Sequence, residues 1–266
     1  MIPLYAVENL MLSLPDLTRK PLLGAAPRIE ILKGLSFTIA KGDVVGIVGG
    51  SGSGKSTLGR AMVRLVQPSG GAIWFDGIDI THATPAQLRP LRRRFQMIFQ
   101  DPMSSLNPRQ RIGQIIESPL RLHGLADTPT RMFDALDMVG LPRTFAHRYP
   151  HELSGGQRQR IGIARAIAQR PDFILADEIV SGLDVSTQAQ ILALLQGLVR
   201  DLGLTLAFIS HDLSVVRRLC TRVLVMNGGV IVEDAETADL FAHPKSAYTR
   251  QLLDAIPLPD PNQVWG

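Results

Sequence analysis

The sequence predicts an α/β protein built around a mostly parallel β-sheet, and two observations carry this prediction. Short apolar runs bounded by turn residues recur along the chain and predict strands, for example over 44–48 and 173–176. Amphipathic patterns typical of helices lie between such runs, for example over 56–66 and 186–202. Alternating strands and helices favour a parallel sheet, because the helices serve as crossover connections between strands.

Two regions depart from this alternation. The first forty or so residues, together with 72–75, predict a small antiparallel sheet. The segment of about 101–157 is rich in proline and arginine, lacks a strong strand pattern and predicts a helical subdomain inserted in the core. We therefore expect one domain over 1–240, followed by a C-terminal tail over 241–266. A tight hairpin turn is expected at 227–229, which reads Asn-Gly-Gly.

Composition excludes several classes of protein. The 266 residues are 45% hydrophobic and 20% charged, which argues against a disordered or coiled-coil chain. Cys220 is the one cysteine, so neither an intrachain disulfide nor a CxxC metal or redox site can form. This usage favours a reducing compartment.

The sequence contains little evidence for a membrane-spanning segment or for nucleic-acid binding. The apolar stretches fall far short of the ~20 residues that span a bilayer, and the N-terminus lacks the basic region of a secretory signal. We expect a cytoplasmic protein that does not itself cross the membrane. The formal net charge is +4, and one dense basic cluster, 89–94, predicts a solvated helix face. Nucleic-acid binding and partner contact remain alternatives for that cluster.

The strongest motif follows the apolar strand at 44–48 and opens a helical pattern. It matches G-x-x-x-x-G-K-[ST] and consists of Gly49, Gly50, Ser51, Gly52, Ser53, Gly54, Lys55, Ser56 and Thr57. In such a loop, backbone N–H groups surround phosphate oxygens and the helix N-terminus favours negative charge. Lys55 can reach the β- and γ-phosphates, and the Ser56 hydroxyl can ligate Mg²⁺. The motif predicts a P-loop NTPase core of the RecA-like kind that binds ATP.

A pair of acids ends the predicted strand at 173–176. Asp177 stands where a carboxylate can complete the Mg²⁺ shell. Glu178 stands one residue further, where it can orient and deprotonate an attacking water. A solvated strand end is the alternative for Glu178.

A further motif, Leu-Ser-Gly-Gly-Gln at 153–157, gives the chain a resemblance to the ATP-binding subunits of ABC transporters. The residues concerned are Ser154, Gly155, Gly156 and Gln157. By its spacing, this motif predicts a second helix N-terminus able to bind an anion. In the family, two such domains pair head to tail, and each signature motif covers the ATP of the other domain.

The resemblance assigns roles to three further residues. Gln100 matches the Q-loop, which couples Mg²⁺ and water to the membrane subunit, and Asp184 lies in the segment that matches the D-loop. His211 matches the switch histidine that contacts the γ-phosphate. His147 and His151 stand four residues apart, but Pro150 between them argues against a helical metal site.

Two stretches narrow the resemblance to the oligopeptide, dipeptide and nickel importer branch. They are 96–109 and the tail motifs around 243–244, 248–250 and 252–257. This implies a related second ATPase subunit, two permeases and an extracytoplasmic substrate-binding protein as partners, and no nucleic acid. Peptides, nickel or metal chelates, glycosides and opines are the implied substrates.

Some positions depart from the family pattern. Leu14 stands where many members carry an aromatic residue that stacks on adenine, which predicts modest nucleotide affinity or weak selectivity for the base. Ile179 and Gly182 replace a usual proline and a usual alanine without removing a reacting group. A soluble ABC ATPase acting on ribosomes or DNA, a non-catalytic regulatory partner and an exporter subunit remain alternatives.

Overall fold

A computed structural model describes residues 2–16, 24 and 26–255 of the chain. In these ranges the strands are β1 (Tyr5–Pro15), β2 (Arg28–Ile39), β3 (Val44–Val48), β4 (Gly70–Phe75), β5 (Ile78–Asp79), β6 (Phe95–Ile98), β7 (Phe173–Asp177), β8 (Thr205–Ile209), β9 (Arg222–Asn227) and β10 (Val230–Glu236). The helices are α1 (Lys55–Met62), α2 (Pro85–Arg92), α3 (Pro102–Ser105), α4 (Ile112–Leu122), α5 (Thr128–Met138), α6 (Gly155–Ile167), α7 (Val185–Leu202), α8 (Leu213–Leu219), α9 (Thr237–Ala242) and α10 (Ala247–Asp254).

The described residues divide into two compact units. The first draws on 1–84 and 208–266, and the second is Pro85–Ala207. Strand β8 crosses the boundary between them. The predicted tail motif at 256–257 lies outside the described residues. None of the helices in the described ranges combines the length and apolar character needed to cross a bilayer.

The first unit contains the predicted antiparallel sheet, in the strand order β2-β1-β4-β5. It also contains β3, which pairs in parallel with β9, while β9 and β10 form an antiparallel hairpin. The turn at 227–229 connects that hairpin, which confirms the prediction from the Asn-Gly-Gly sequence. All five residues of β3 are buried, so the strand that leads into the glycine-rich loop lies in the core.

Helix α1 is shorter than the pattern over 56–66 predicts. It ends at Met62, and Arg64 turns the chain with a φ of 55°. The buried guanidinium of Arg64 donates to the carbonyl oxygens of Ile80 and Val66, at 2.7 and 3.2 Å. The local bond to Val66 and the bond to Ile80, 16 positions away, thus satisfy the charged side chain where the helix has ended.

The second unit pairs β6 with β7 in parallel, and the ion pair between Arg94 and Asp172 (2.6 Å) ties the chain just before both strands. From 101 to 157 the described residues form α3, α4, α5, two short 3₁₀ turns and the start of α6. Arg165 of α6 reaches the carbonyl oxygen of Ser105 at 2.6 Å, and burial lowers the pKa of its guanidinium. The helical character predicted for this segment is thus present, while its limits as a subdomain remain a prediction.

Candidate functional site

The glycine-rich loop joins β3 to α1 in the first unit. Gly49 opens it at a φ of 151°, and a Cβ on this residue would lie 2.1 Å from the carbonyl oxygen of Met226 in β9. Only glycine therefore fits between the loop and the neighbouring strand. The first helical bond runs from the N–H of Leu58 to the carbonyl of Gly54, at 2.8 Å. The loop thus leads directly into a helix N-terminus, as its motif requires.

Lys55 is held over this loop. Its ammonium Nζ donates to the carbonyl oxygens of Gly49 and Gly50, each at 2.9 Å, and the residue is only 6% exposed. Nearby, the hydroxyl of Ser53 is buried and has no hydrogen-bond partner among the described residues. A buried ammonium and a buried hydroxyl without a partner, in a loop held open by glycine, fit the oxygens of a phosphate chain.

The remaining loop residues lie on the side open to solvent. Ser51 and Gly52 are exposed, and Ser56 and Thr57 are half-buried in the first turn of α1. Ser56 thus directly follows Lys55 at the start of α1, the position to which the motif assigns a hydroxyl ligand of Mg²⁺.

His211 belongs to the same unit as the loop. The preceding residue, Ser210, donates its N–H to the carbonyl of Ile47 in β3 at 3.2 Å. The following residue, Asp212, caps α8 by accepting from the N–H of Ser214 at 2.8 Å. The exposed His211 is therefore fixed between a strand end and a helix start, beside the strand that leads into the loop.

The acid pair and Gln100 belong to the second unit. Strand β7 is buried throughout, and Asp177 at its end is 3% exposed. Glu178 is half-buried and adopts a φ of 50°, a left-handed conformation that non-glycine residues seldom take. Gln100 donates from Nε2 to Oε2 of Glu178 at 3.0 Å. Gln100 and Glu178 belong to two sequence motifs and are 78 positions apart, and the structure places them in direct hydrogen-bond contact.

The signature motif begins α6. Ser154 is the N-cap: its hydroxyl accepts from the N–H of Gln157 at 3.3 Å, and the Gln157 side chain accepts from the N–H of Ser154 at 3.0 Å. This reciprocal capping box fixes the motif at a helix N-terminus. Gly156 faces α7, where a Cβ would lie 2.4 Å from Cγ2 of Thr187. The predicted helix N-terminus is present, and its close approach to α7 explains the need for glycine.

Asp184 caps the neighbouring helix α7. Its carboxylate accepts from the N–H and the hydroxyl of Thr187, at 2.9 and 2.6 Å, and these two bonds lower the pKa of the carboxyl group. Thr187 thus contacts both the signature glycine and the D-loop aspartate. The sequence analysis did not single out Thr187, although an aspartate followed three residues later by threonine is typical of a capped helix start.

Tyr248 of α10 lies in the tail motif at 248–250, but the sequence analysis assigned it no role in the site. Its hydroxyl accepts a hydrogen bond from the N–H of Gly50 at 2.8 Å. The two residues are separated by 198 positions, so no local pattern could have indicated this contact. The sequence analysis argued against a metal site at His147 and His151. In the structure, the His151 ring stacks on the Tyr149 ring with their centroids 5.6 Å apart.

Within the described ranges, no three His, Cys, Asp or Glu side chains lie close enough together to hold a metal ion. The side chains to which the sequence analysis assigned Mg²⁺ are a hydroxyl, an amide and a carboxylate, those of Ser56, Gln100 and Asp177. Each carries an oxygen atom of the kind that Mg²⁺ accepts as a ligand.

Comparison with known proteins identifies the family. Residues 32–181 match the ABC transporter family. The chain is 53% identical over 237 residues to a putative peptide import ATP-binding protein of Brucella ovis, which covers 88% of this chain and 75% of that relative. It is 48% identical over 265 residues to the glutathione import ATP-binding protein GsiA of Escherichia coli, over 98% of this chain but only 42% of GsiA.

A solved structure points the same way. The ATP-binding cassette MJ0796, in a dimeric post-hydrolysis state bound to ADP and Pi, has a TM-score of 0.77 and 29% identity, over 88% of this chain and 98% of that one. This likeness confirms the predicted α/β fold of a P-loop NTPase. By its family match, its relatives and its fold, the chain belongs to the ATP-binding, ATP-hydrolysing proteins of the ABC transporter family.

Proposed function

We propose that this chain is the ATP-hydrolysing subunit of an ABC importer for peptides or related small solutes. The observation that carries the import assignment is the 53% identity, over 88% of the chain, to a peptide import ATP-binding protein. The likeness to a glutathione importer subunit supports a small peptide as substrate. Nickel, metal chelates and opines remain possible cargoes, because the ATPase subunit does not contact the cargo itself.

In this proposal the loop of residues 49–57 holds the phosphates of ATP. Its N–H groups and the α1 N-terminus face the anion, and the Lys55 ammonium moves from two loop carbonyls to the β- and γ-phosphate oxygens. Ser56, Gln100 and Asp177 would hold Mg²⁺, which neutralises charge on the phosphate oxygens. The buried Ser53 hydroxyl and the Gly49 cradle support this assignment.

Glu178 is the proposed general base. Its carboxylate orients a water molecule for attack on the γ-phosphorus and accepts the proton of that water. Gln100 donates to this carboxylate and so fixes its direction, which supports the pairing of the two roles. His211 would contact the γ-phosphate as a hydrogen-bond donor.

The signature residues 154–157 and Asp184 would serve the ATP of a second subunit. They form helix N-termini, which favour anions, and the two helices are joined through Thr187. The relative MJ0796 was solved as a dimer, which supports a paired arrangement. We propose a related second ATPase as this partner, with two permeases and an extracytoplasmic substrate-binding protein. The chain would then sit at the cytoplasmic face of the membrane.

We further propose that the ATPase domain covers 1–240, with its helical subdomain at about 101–157 and an importer-type tail from 241 onward. The helices and turns that occupy 101–157 support the subdomain assignment.

Affinity capture of the tagged chain from detergent-solubilised native membranes tests the proposal, with Lys55→Ala as the matched control for ATP-dependent contacts. Two multi-span permeases and a second ATPase would support the heteromeric importer. Recovery of permeases with only copies of this chain would overturn the heterodimer but keep the transporter. Recovery of ribosomes or DNA-bound proteins instead would overturn the transport assignment.

A further inference from the structure

The loop of residues 49–57 is hydrogen-bonded to α10, the last helix in the described part of the chain. The N–H of Gly50 donates to the Tyr248 hydroxyl at 2.8 Å, and a Cβ on Gly50 would lie 2.9 Å from that same oxygen. Tyr248 therefore lies directly against the loop backbone. Gly50 lies within the loop motif and Tyr248 in α10, and both belong to the first compact unit.

Helix α10 is itself fixed at its N-terminus. The Glu233 carboxylate accepts from the N–H groups of Lys245 and Ser246, each at 2.9 Å, and is 7% exposed. Ser246 caps the helix by accepting from the N–H of Tyr248 at 3.2 Å. Toward the other end of α10, the side chain of Leu253 is buried. These hydrogen bonds connect β10 to the start of α10, the helix that carries Tyr248. They fix the position from which the Tyr248 hydroxyl contacts the loop.

Gly50 is consequently held at both of its peptide groups. Its N–H donates to Tyr248, and its carbonyl accepts from the Lys55 ammonium. When ATP arrives, Lys55 is drawn toward phosphate. Gly50 is then held by the Tyr248 bond at its N–H and by the bond from the Ser53 N–H, 3.3 Å long, at its carbonyl. A loop already fixed in its binding conformation loses less conformational entropy on binding, so its affinity for the ligand is higher.

We propose that Tyr248 is a positioning residue for ATP, which holds Gly50 and thereby keeps the phosphate loop in its binding conformation. This inference rests on the proposed role of residues 49–57 as the phosphate loop. It makes the C-terminal helix a determinant of ATP affinity, although α10 lies outside the family match over 32–181.

The test is Tyr248→Phe in the full chain, which removes the hydroxyl and keeps the ring. Titration with a fluorescent ATP analogue should show a Kd raised about three- to tenfold, the range expected for one hydrogen bond of ordinary strength. KM for ATP should rise by a similar factor with kcat nearly unchanged, because Tyr248 contacts no reacting atom. The melting temperature without nucleotide should fall by no more than about 2–4 °C, the shift expected for the loss of one hydrogen bond in a domain of this size, so the variant stays folded during the titration.

Tyr5→Phe is the matched control, because the Tyr5 hydroxyl also bonds a backbone group of the same unit, the carbonyl of Met62 at 3.4 Å. It should leave the ATP Kd unchanged. A second variant, Glu233→Gln, weakens the support of α10 and should raise the Kd in the same direction. Its effect should largely disappear in the Tyr248→Phe background, since both act through one contact.

Unchanged or tighter ATP binding in Tyr248→Phe, with normal binding by the wild type, would overturn the positioning role alone. If Lys55→Ala bound ATP as well as the wild type, the loop assignment itself would fail, and this inference with it. The two failures are therefore distinguishable by the lysine variant.

Discussion

The Gln100 side-chain amide donates from Nε2 to Oε2 of Glu178 over 3.0 Å. This contact follows from the strand register, in which Ile98 of β6 pairs with Ala176 of β7. Gln100 lies two positions after Ile98, and Glu178 lies two positions after Ala176. Parallel strands end at the same edge of a sheet, so both side chains emerge together. The proposed base thus has a neutral donor that orients it without adding charge.

Replacing Glu178 by Gln should abolish most turnover and spare ATP binding. The amide keeps an oxygen that can accept from Gln100, but it cannot take a proton from water. We expect kcat to fall by about 10²- to 10⁴-fold, the usual contribution of a general base. Steady-state phosphate release and ATP titration measure the two effects separately.

The control for that variant is Glu30→Gln, which makes the same change at an exposed position of β2. It should leave both kcat and ATP affinity unaltered. Turnover of Glu178→Gln at the wild-type rate would remove Glu178 from the role of base. The variant should also accumulate as an ATP-bound dimer, visible by size-exclusion chromatography.

Lys55→Ala should weaken ATP binding itself. The substitution removes a buried ammonium that contacts two loop carbonyls and is placed to reach phosphate. A charge-assisted hydrogen bond is worth about 1.5–3 kcal/mol, so the Kd should rise at least about tenfold. The ATP-induced rise in melting temperature, which depends on the ratio of ligand concentration to Kd, should shrink accordingly.

Lys41→Ala, in the exposed turn before β3, is the matched lysine control and should keep the full ATP-induced shift. An equal loss in both variants would mean that overall charge, and not the loop ammonium, attracts the nucleotide.

Leu14→Tyr should raise ATP affinity. Leu14 is 38% exposed near the end of β1, and the resemblance to the family implies an aromatic ring stacked on adenine at this position. Such stacking is worth about 1 kcal/mol, which corresponds to a Kd lowered roughly fivefold. Ile29→Tyr, on the strand partner of Leu14, is a control with similar exposure. A similar gain in both variants, or none in Leu14→Tyr, would show that Leu14 does not face the base.

The sequence predicts strands well where they are buried on both faces. Strands β3 and β7 appear as uninterrupted apolar runs, and every residue of each is buried. Strand β1 is harder, because its pairing with β2 shifts register between Val7 and Leu10, and Asn9 there has a φ of 45°. The bulge breaks the alternation of apolar and polar residues, so the sequence pattern does not show that β1 continues to Pro15.

The parts of the site that the sequence could not predict depend on contacts between distant residues. Motifs located Gln100 and Glu178, but their hydrogen bond requires β6 and β7 to be neighbours, which no motif states. The tail motif located Tyr248, but its contact with Gly50 depends on α10 being fixed by Glu233. Long-range packing, rather than local propensity, decides these arrangements.

Gly156→Ala should destabilise the second unit, and Gly197→Ala should not. A Cβ on Gly156 would lie 2.4 Å from Thr187 Cγ2, while a Cβ on Gly197 of α7 would meet nothing within 4 Å. Overpacking costs about 1–3 kcal/mol, whereas replacing an unhindered helical glycine gains about 0.5–1 kcal/mol. Urea denaturation should therefore shift in opposite directions for the two variants.

Thr187→Ser tests the cause of that destabilisation. Serine lacks the Cγ2 methyl but keeps the hydroxyl that bonds Asp184. The double variant Gly156→Ala/Thr187→Ser should recover most of the lost free energy of unfolding. Failure of the serine to rescue would show that the signature glycine is needed for its backbone and not for the space beside α7.

Glu233 should make the stability of the first unit depend on acid pH. Burial raises the pKa of its carboxyl, but hydrogen bonds from the N–H groups of Lys245 and Ser246 and the positive charge of Lys245 outweigh it, so the folded pKa lies below the ordinary 4.5. The carboxylate therefore contributes stability in full above about pH 4.5, the unfolded value, and loses it as pH falls through the folded pKa. Urea denaturation of the wild type and of Glu233→Gln from pH 7 to pH 3 measures this. The difference in free energy of unfolding between the two should be constant near neutrality and narrow below pH 4.5. A difference that stays constant down to pH 3 would show that the charge of Glu233 does not stabilise α10.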